Sequence, residues 1–254
     1  MRTLEQQIEY DKCCKDFKYF INKYTQIEKY SPLLADFKLY PFQEKLLSTI
    51  DSEDLVLINT ARQMGITTVM MAYILWKINF TPKYKATHIN VNAVQGITSL
   101  DLLRQSYDLL PDYLKTPCLL NNKRKLTLSN ESSISIMSAM TPSLSYDLVF
   151  IDNASFVKGI RELYAASRQQ VTSNGKLIIT STLYKSGWFV EMCKEAELNN
   201  TPFSYVKLPY YLHPRRDRLW RSNTEASIGE VGAIVECDCT HYYSEEIKLV
   251  PLVE

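Results

Sequence analysis

Apolar positions along the chain recur in two rhythms. Over residues 3–30, Leu4, Ile8, Cys14, Phe17, Phe20 and Ile21 fall on one face at helical spacing with charges opposite, which predicts one or two helices. Ser31-Pro32 interrupts that pattern, and residues 37–47 open another helix around Pro41, a residue suited to a first turn. The run LVLIN at 55–59 reads as a buried strand and is followed by the apolar helical run VMMAYILW at 69–76. Residues 86–92 read as a second strand. Residues 98–110 form a helix with Leu100, Leu103, Tyr107 and Leu110 on one face, ended by Pro111. Residues 126–128 and 133–137 alternate like a hairpin on the sheet edge, with its turn at 129–131. Apolar strands at 146–151 and 176–182 flank a helix at 161–170, and a helix at 188–198 precedes a strand at 203–208. Strands alternating with helices predict an α/β fold with a mainly parallel, doubly wound sheet.

Candidate chemistry gathers where the first strand meets its helix. Residues 60–68 (TARQMGITT) carry one glycine and end in two threonine hydroxyls at a strand-to-helix turn, the layout of a phosphate-binding loop. The motif is degenerate, with Thr60 in place of the first glycine and Ile66 in place of lysine. Gly65, the Thr67 hydroxyl and the amides of a helix N-terminus remain to attract an anion. An ordinary strand-turn-helix corner is the other reading of this stretch. Asp152 follows the apolar strand 146–151 at its C-terminal end, where a magnesium-ordering carboxylate must lie to face such a loop. Gln43, one short helix before the loop, has the donor and acceptor needed to read an adenine edge, and would otherwise be a surface residue of an amphipathic helix. Residues 213–221 carry four arginines and a tryptophan, a mixture that grips phosphates and stacks bases, or else a solvated loop paired with Asp217 and nearby glutamates. Residues 123–125 form a smaller basic turn.

Composition narrows the partners. The 254 residues are 46% hydrophobic and 22% charged, ordinary for a chain with a proper core. A net charge of +1 excludes a polybasic coat, so contact with DNA has to come from local patches. No run of about 18 apolar residues predicts a membrane span, and the polar start is no signal peptide. The six cysteines lack metal-ligand spacing. Cys237 and Cys239 beside His241 form at most a zinc half-site, and reduced thiols are the expectation.

Residues 19–24 (YFINKY), 37–43 (FKLYPFQ), 61–68 (ARQMGITT), 109–113 (LLPDY), the strand ending at Asp152 and residues 178–182 (IITST) together resemble, in order and spacing, the ATPase half of a tailed-phage terminase large subunit. The resemblance covers about residues 17 to 240. It implies a P-loop NTPase-like domain over 37–240, an N-terminal helical segment over 1–36 packed on it, and a tail over 241–254 with no nuclease domain. It also implies a viral DNA-packaging motor in the cytoplasm of an infected bacterial host, a ring of copies that translocates double-stranded DNA through a portal together with other terminase subunits. Residue by residue, Gln43 would contact adenine. Arg62, Gln63, Met64, Gly65, Ile66, Thr67 and Thr68 would cradle the phosphates of ATP, with Arg62 near the γ-phosphate. Thr67 and Asp152 would hold Mg2+, and Thr180, Ser181 and Thr182 would couple hydrolysis to movement.

Three departures fall on the chemistry. Ile66 replaces the phosphate lysine, Asn153 replaces the glutamate that follows the magnesium aspartate, and residues 141–145 are too short for the family's Arg-Gly segment. Losing a general base costs about 10²–10⁴ in rate, and a lost charge-assisted phosphate contact about 1.5–3 kcal/mol. The expected outcome is weakened or lost hydrolysis, with Arg62 and Asn153 as the remaining catalytic candidates. The alternative is a pseudo-ATPase that acts as a binding partner of the packaging machinery or of DNA.

Overall fold

The computed structural model describes residues 2–28, 34–140, 144–184 and 186–241. Its centre is an eight-stranded sheet built from β3 (Leu55–Thr60), β4 (Lys85–Ile89), β5 (Cys118–Asn122), β6 (Lys125–Leu128), β7 (Ser133–Met137), β8 (Tyr146–Ile151), β9 (Val171–Ser181) and β10 (Ser204–Leu208). The spatial order is β10-β3-β9-β8-β4-β7-β6-β5. From β10 to β7 all neighbours run parallel, and β6 and β5 are added antiparallel. Two hydrophobic clusters lie on the two faces of the sheet. Covering on both faces is why β3, β8 and β9 carry apolar runs at 55–58, 148–151 and 177–179.

One face carries α3 (Pro41–Ser52), α4 (Ile66–Phe80) and α5 (Ala93–Asp108), and the other carries α6 (Ile160–Gln170) and α7 (Trp188–Glu197). Helix α4 is apolar all round, a pattern that demands enclosure from every side. Its outer face is roofed by α1 (Leu4–Lys15) and α2 (Phe17–Tyr24). Phe17 sets its ring edge against Tyr73 and Trp76, and the Trp76 indole donates to the Cys13 carbonyl at 2.8 Å. Full burial of an aromatic or aliphatic side chain stabilises by about 1.5–3 kcal/mol, so this roof completes the core around the helix that follows the β3 turn.

The structure corrects several expectations. Leu4 and Ile8 are exposed, at 78% and 61%, and Cys13 is the buried residue of α1, because the helix meets the core through Tyr10 and Cys13. A two-stranded pair, β1 (Gln26–Glu28) with β2 (Leu34–Asp36), follows α2, so the N-terminal segment is not wholly helical. The Ser31-Pro32 break lies outside the described residues. The hairpin β6-β7 is one strand in from the edge, which is formed by β5, exposed along its length and without an alternating pattern to reveal it. Residues 218–236, read as part of a loop or not assigned, form the helix α8 (Arg218–Glu236). Among the described residues no cluster of histidine, cysteine or carboxylate side chains could hold a metal in the manner of a zinc site, and no helix is long and apolar enough to cross a membrane.

Candidate functional site

Strand β3 ends at Thr60, and the chain turns through two left-handed residues, Gln63 (φ 56°) and Gly65 (φ 74°), before α4 begins at Ile66. Glycine enters that region without the steric cost that Gln63 carries, which suits Gly65 to the turn. The first bond into the helix runs from the Val69 N–H to the Gly65 carbonyl at 3.0 Å. The amides of Ile66, Thr67 and Thr68 therefore precede the helical ladder, at the positive end of the helix dipole. Strand β8 delivers Asp152 to the same edge, although β9 lies between β3 and β8. The Thr67 hydroxyl donates to Asp152 Oδ2 at 2.6 Å, and the Asn153 N–H donates to Oδ1 at 2.9 Å. Loop and carboxylate are in direct contact.

Asp152 is 5% exposed, and burial pushes its carboxyl up to about 6 against the pull of the Thr67 hydroxyl and the Asn153 N–H. Among the described residues no Lys, Arg or His pairs with it. A buried carboxylate with only neutral donors, facing a hydroxyl at a helix start, is an oxygen donor set that suits a hard divalent cation such as Mg2+.

The other expected positions are arranged less favourably for catalysis. Ile66 is 5% exposed and belongs to the core cluster, so where a lysine would reach out to phosphate there is a side chain turned inward. Asn153 is left-handed (φ 56°, ψ 39°), a conformation asparagine tolerates, and its Nδ2 donates to Asn90 Oδ1 at 3.3 Å. Arg62 is turned to Glu236, with Nη2 2.9 Å from Oε1 and its N–H on the Glu236 carbonyl at 3.0 Å. Gln63 is exposed, Met64 is buried and Thr68 is half-buried. Gln43 is buried, accepting from the Tyr40 N–H and donating to the Met64 carbonyl, each at 3.0 Å. Thr180, Ser181 and Thr182 are buried at the C-terminal end of β9. The Ser155 N–H donates to Ser181 Oγ at 3.1 Å and its hydroxyl to the Thr182 carbonyl at 2.7 Å, which ties this segment to the turn after Asp152.

The residues that grip the loop from outside escaped the sequence reading. Arg216 donates to the Arg62 carbonyl at 2.7 Å and to the Gln63 carbonyl at 2.9 Å, with its guanidinium 4.3 Å from the centre of the Trp220 ring. Helix α8 cannot be straight: Gly229 is non-helical (φ 78°, ψ 163°), and Arg221 donates to Asp238 at 2.8 Å. A straight helix separates residues seventeen apart by about 25 Å, far beyond an arginine's reach, so α8 folds back at Gly229. Arg216 just before its first arm and Glu236 at the end of its second both hold the loop between β3 and α4. Asp217 caps the first arm by accepting from the Trp220 N–H at 2.8 Å, the signal that marks the helix start. Replacing Arg216 with alanine is expected to lower stability by about 1.5–3 kcal/mol, the range for bonds to a charged donor. The denaturant midpoint would fall at constant slope, and the amides of residues 62–65 would exchange hydrogen faster.

No protein-family model matches the sequence. Among solved structures, the chain superposes on the large terminase of bacteriophage HK97 with a TM-score of 0.64, at 18% identity, over 84% of this chain and 47% of that one. The isolated large terminase ATPase domain of Thermus phage P74-26 gives 0.61 at 17% identity, over 80% of this chain and 94% of that domain. The fold is that of a phage large terminase ATPase domain. The large terminase of a thermophilic bacteriophage, solved in complex with ADP, gives 0.62 at 10% identity, over 80% of this chain and 53% of that one. The chain spans about half the length of the HK97 terminase and of the ADP-bound one, and nearly all of the P74-26 ATPase domain. Within this terminase-type fold the Thr67–Asp152 pair sits at the C-terminal edge of the parallel strands, where open α/β sheets bind their ligands.

Proposed function

We propose that the chain is the nucleotide-binding part of a viral DNA-packaging motor of large-terminase type, with slowed ATP hydrolysis. The observation that supports this reading above the others is the 2.6 Å contact between Thr67 and Asp152 at the start of α4. The amides of residues 66–68 would bind the phosphates of ATP, and Thr67 and Asp152 would hold Mg2+. When bound, the ion would neutralise charge on the phosphate oxygens. Asn153 cannot take a proton from water and can at most orient it, and Arg62 has to leave Glu236 before it can approach a phosphate. Double-stranded DNA, a portal, other terminase subunits and further copies of the chain are the partners this reading implies, in the cytoplasm of a bacterial host.

A second reading, a pseudo-ATPase that docks on the packaging machinery or DNA, is favoured by the inward Ile66 and by the ion pair that occupies Arg62. Steady-state phosphate release, with double-stranded DNA and portal present, separates the two. The motor reading expects slow turnover that Asp152→Ala abolishes. Release at background level with and without that substitution establishes the pseudo-ATPase.

A further inference from the structure

Gln43 is the residue expected to read the base, yet both ends of its amide are engaged within the chain. Oε1 accepts from the Tyr40 N–H and caps α3, while Nε2 donates to the carbonyl of Met64 in the phosphate loop, each at 3.0 Å. The side chain is 2% exposed. A Cβ added at Gly65 would lie 3.0 Å from Nε2, so the amide packs directly on the left-handed glycine of the loop. Tyr40, at the start of the same helix, is covered by the ring of His213 with centroids 4.8 Å apart. Releasing the Gln43 amide for a base would strip the buried bond to the Met64 carbonyl and the half-buried bond from the Tyr40 N–H, and two neutral hydrogen bonds to adenine do not offset that loss.

We infer that this site takes its nucleotide by the phosphates alone, and that Gln43 is a positioning residue that latches the phosphate loop to the start of α3. The inference rests on the proposed nucleotide site and specifies its substrate class: purine and pyrimidine nucleoside triphosphates alike. The latch sets the height of the Met64 carbonyl and, through the Gly65 turn, the aim of the amides that follow. Its loss weakens every triphosphate equally.

Titration calorimetry of the full chain in Mg2+ with ATP, GTP, CTP and base-free tripolyphosphate tests this directly. The three nucleotides are expected to bind within about threefold of one another, since a single base-reading hydrogen bond would give up to about tenfold. Gln43→Ala is expected to weaken all four probes by a similar factor, about three- to tenfold. ATP bound tenfold or more tightly than GTP and CTP, with the preference erased by Gln43→Ala, overturns the inference and leaves the nucleotide site standing. A Gln43→Ala chain that melts earlier but binds all four probes unchanged overturns the latch. Binding of none of the four overturns the nucleotide site and this inference with it.

Discussion

Exchanging Ile66 for lysine and Asn153 for glutamate in one chain is expected to raise steady-state phosphate release by about 10²–10⁴, the range supplied by a positioned general base. The lysine adds phosphate contact on top of this. The two positions flank the Thr67–Asp152 pair, so the restored groups would enter a site whose proposed cation-holding pair is already in contact. The exchange has a structural cost. Ile66 belongs to the core cluster, and a lysine there must run its stem along apolar neighbours to bring the ammonium out beside the loop. Residue 153 is left-handed, where a residue with an ordinary side chain costs about 1–2 kcal/mol. The revived chain is therefore expected to melt earlier than the native one while turning over faster. Adding Asp152→Ala should erase the gain. A doubly restored chain that binds ATP and releases phosphate no faster than the native chain would show that the block lies elsewhere, with the ion pair holding Arg62 as the next suspect.

Asp152→Asn is expected to stabilise the ligand-free chain and to abolish its Mg2+-dependent response to nucleotide. Burial raises the Asp152 carboxyl to about 6. Between its unfolded value near 4 and that folded value, the folded chain holds a proton the unfolded chain has lost. Stability thus falls as pH rises through this window and stays lower above it, by about 3 kcal/mol for a shift of this size. An uncharged asparagine avoids that cost, with Oδ1 still accepting from the Asn153 N–H and Nδ2 donating to the Thr67 hydroxyl, which turns to accept. At pH 7.5 the melting temperature should rise by about 5–10 °C. His88 opposes this trend in the native chain. It is buried in β4 against Phe150, and burial lowers its imidazole to about 4, so its contribution is lost as pH falls below its ordinary value near 6.5. A pH series on the native chain mixes the two effects, and the difference between native and Asp152→Asn chains isolates the carboxylate. A difference that stays flat from pH 4 to 7.5 would contradict the assigned environment. In the native chain, Mg·ATP affinity should weaken below about pH 6 as Asp152 takes up its proton.

The elements that could be read in advance were those whose local chemistry and burial agree. Pro41 marks the first turn of α3, the apolar run of β8 delivers Asp152 to the sheet edge, and Leu100, Leu103, Tyr107 and Leu110 mark the inner face of α5. The pairing of Thr67 with Asp152 was legible because strand polarity alone brings both to one edge. What escaped has physical causes too. Helix α8 has a glycine at its centre, two short arms and a single fully buried residue, Ala233, so no apolar stripe of helical period announces it. Strand β5 is exposed at every position and owes its existence to pairing with β6. The neighbours of Arg62 are set by tertiary contact: Glu236 and Arg216 reach the loop only because the chain after β10 returns to it. Side chains that look poised for a ligand in one dimension are, in three, partly committed to the chain itself.

The fold-back at Gly229 also determines where this unit can be cut. Beyond the second arm, the carbonyl of Cys239 accepts from Asn59 near the end of β3 at 2.9 Å, and the Tyr210 N–H bonds to the Cys237 carbonyl. A version trimmed at the glycine would keep Arg216 and forfeit Glu236, leaving the loop gripped from one side and Asn59 short of a buried partner. The minimal autonomous piece therefore reaches at least to Cys239, and a protease nick at the bend would separate two arms whose ends still hold the same loop.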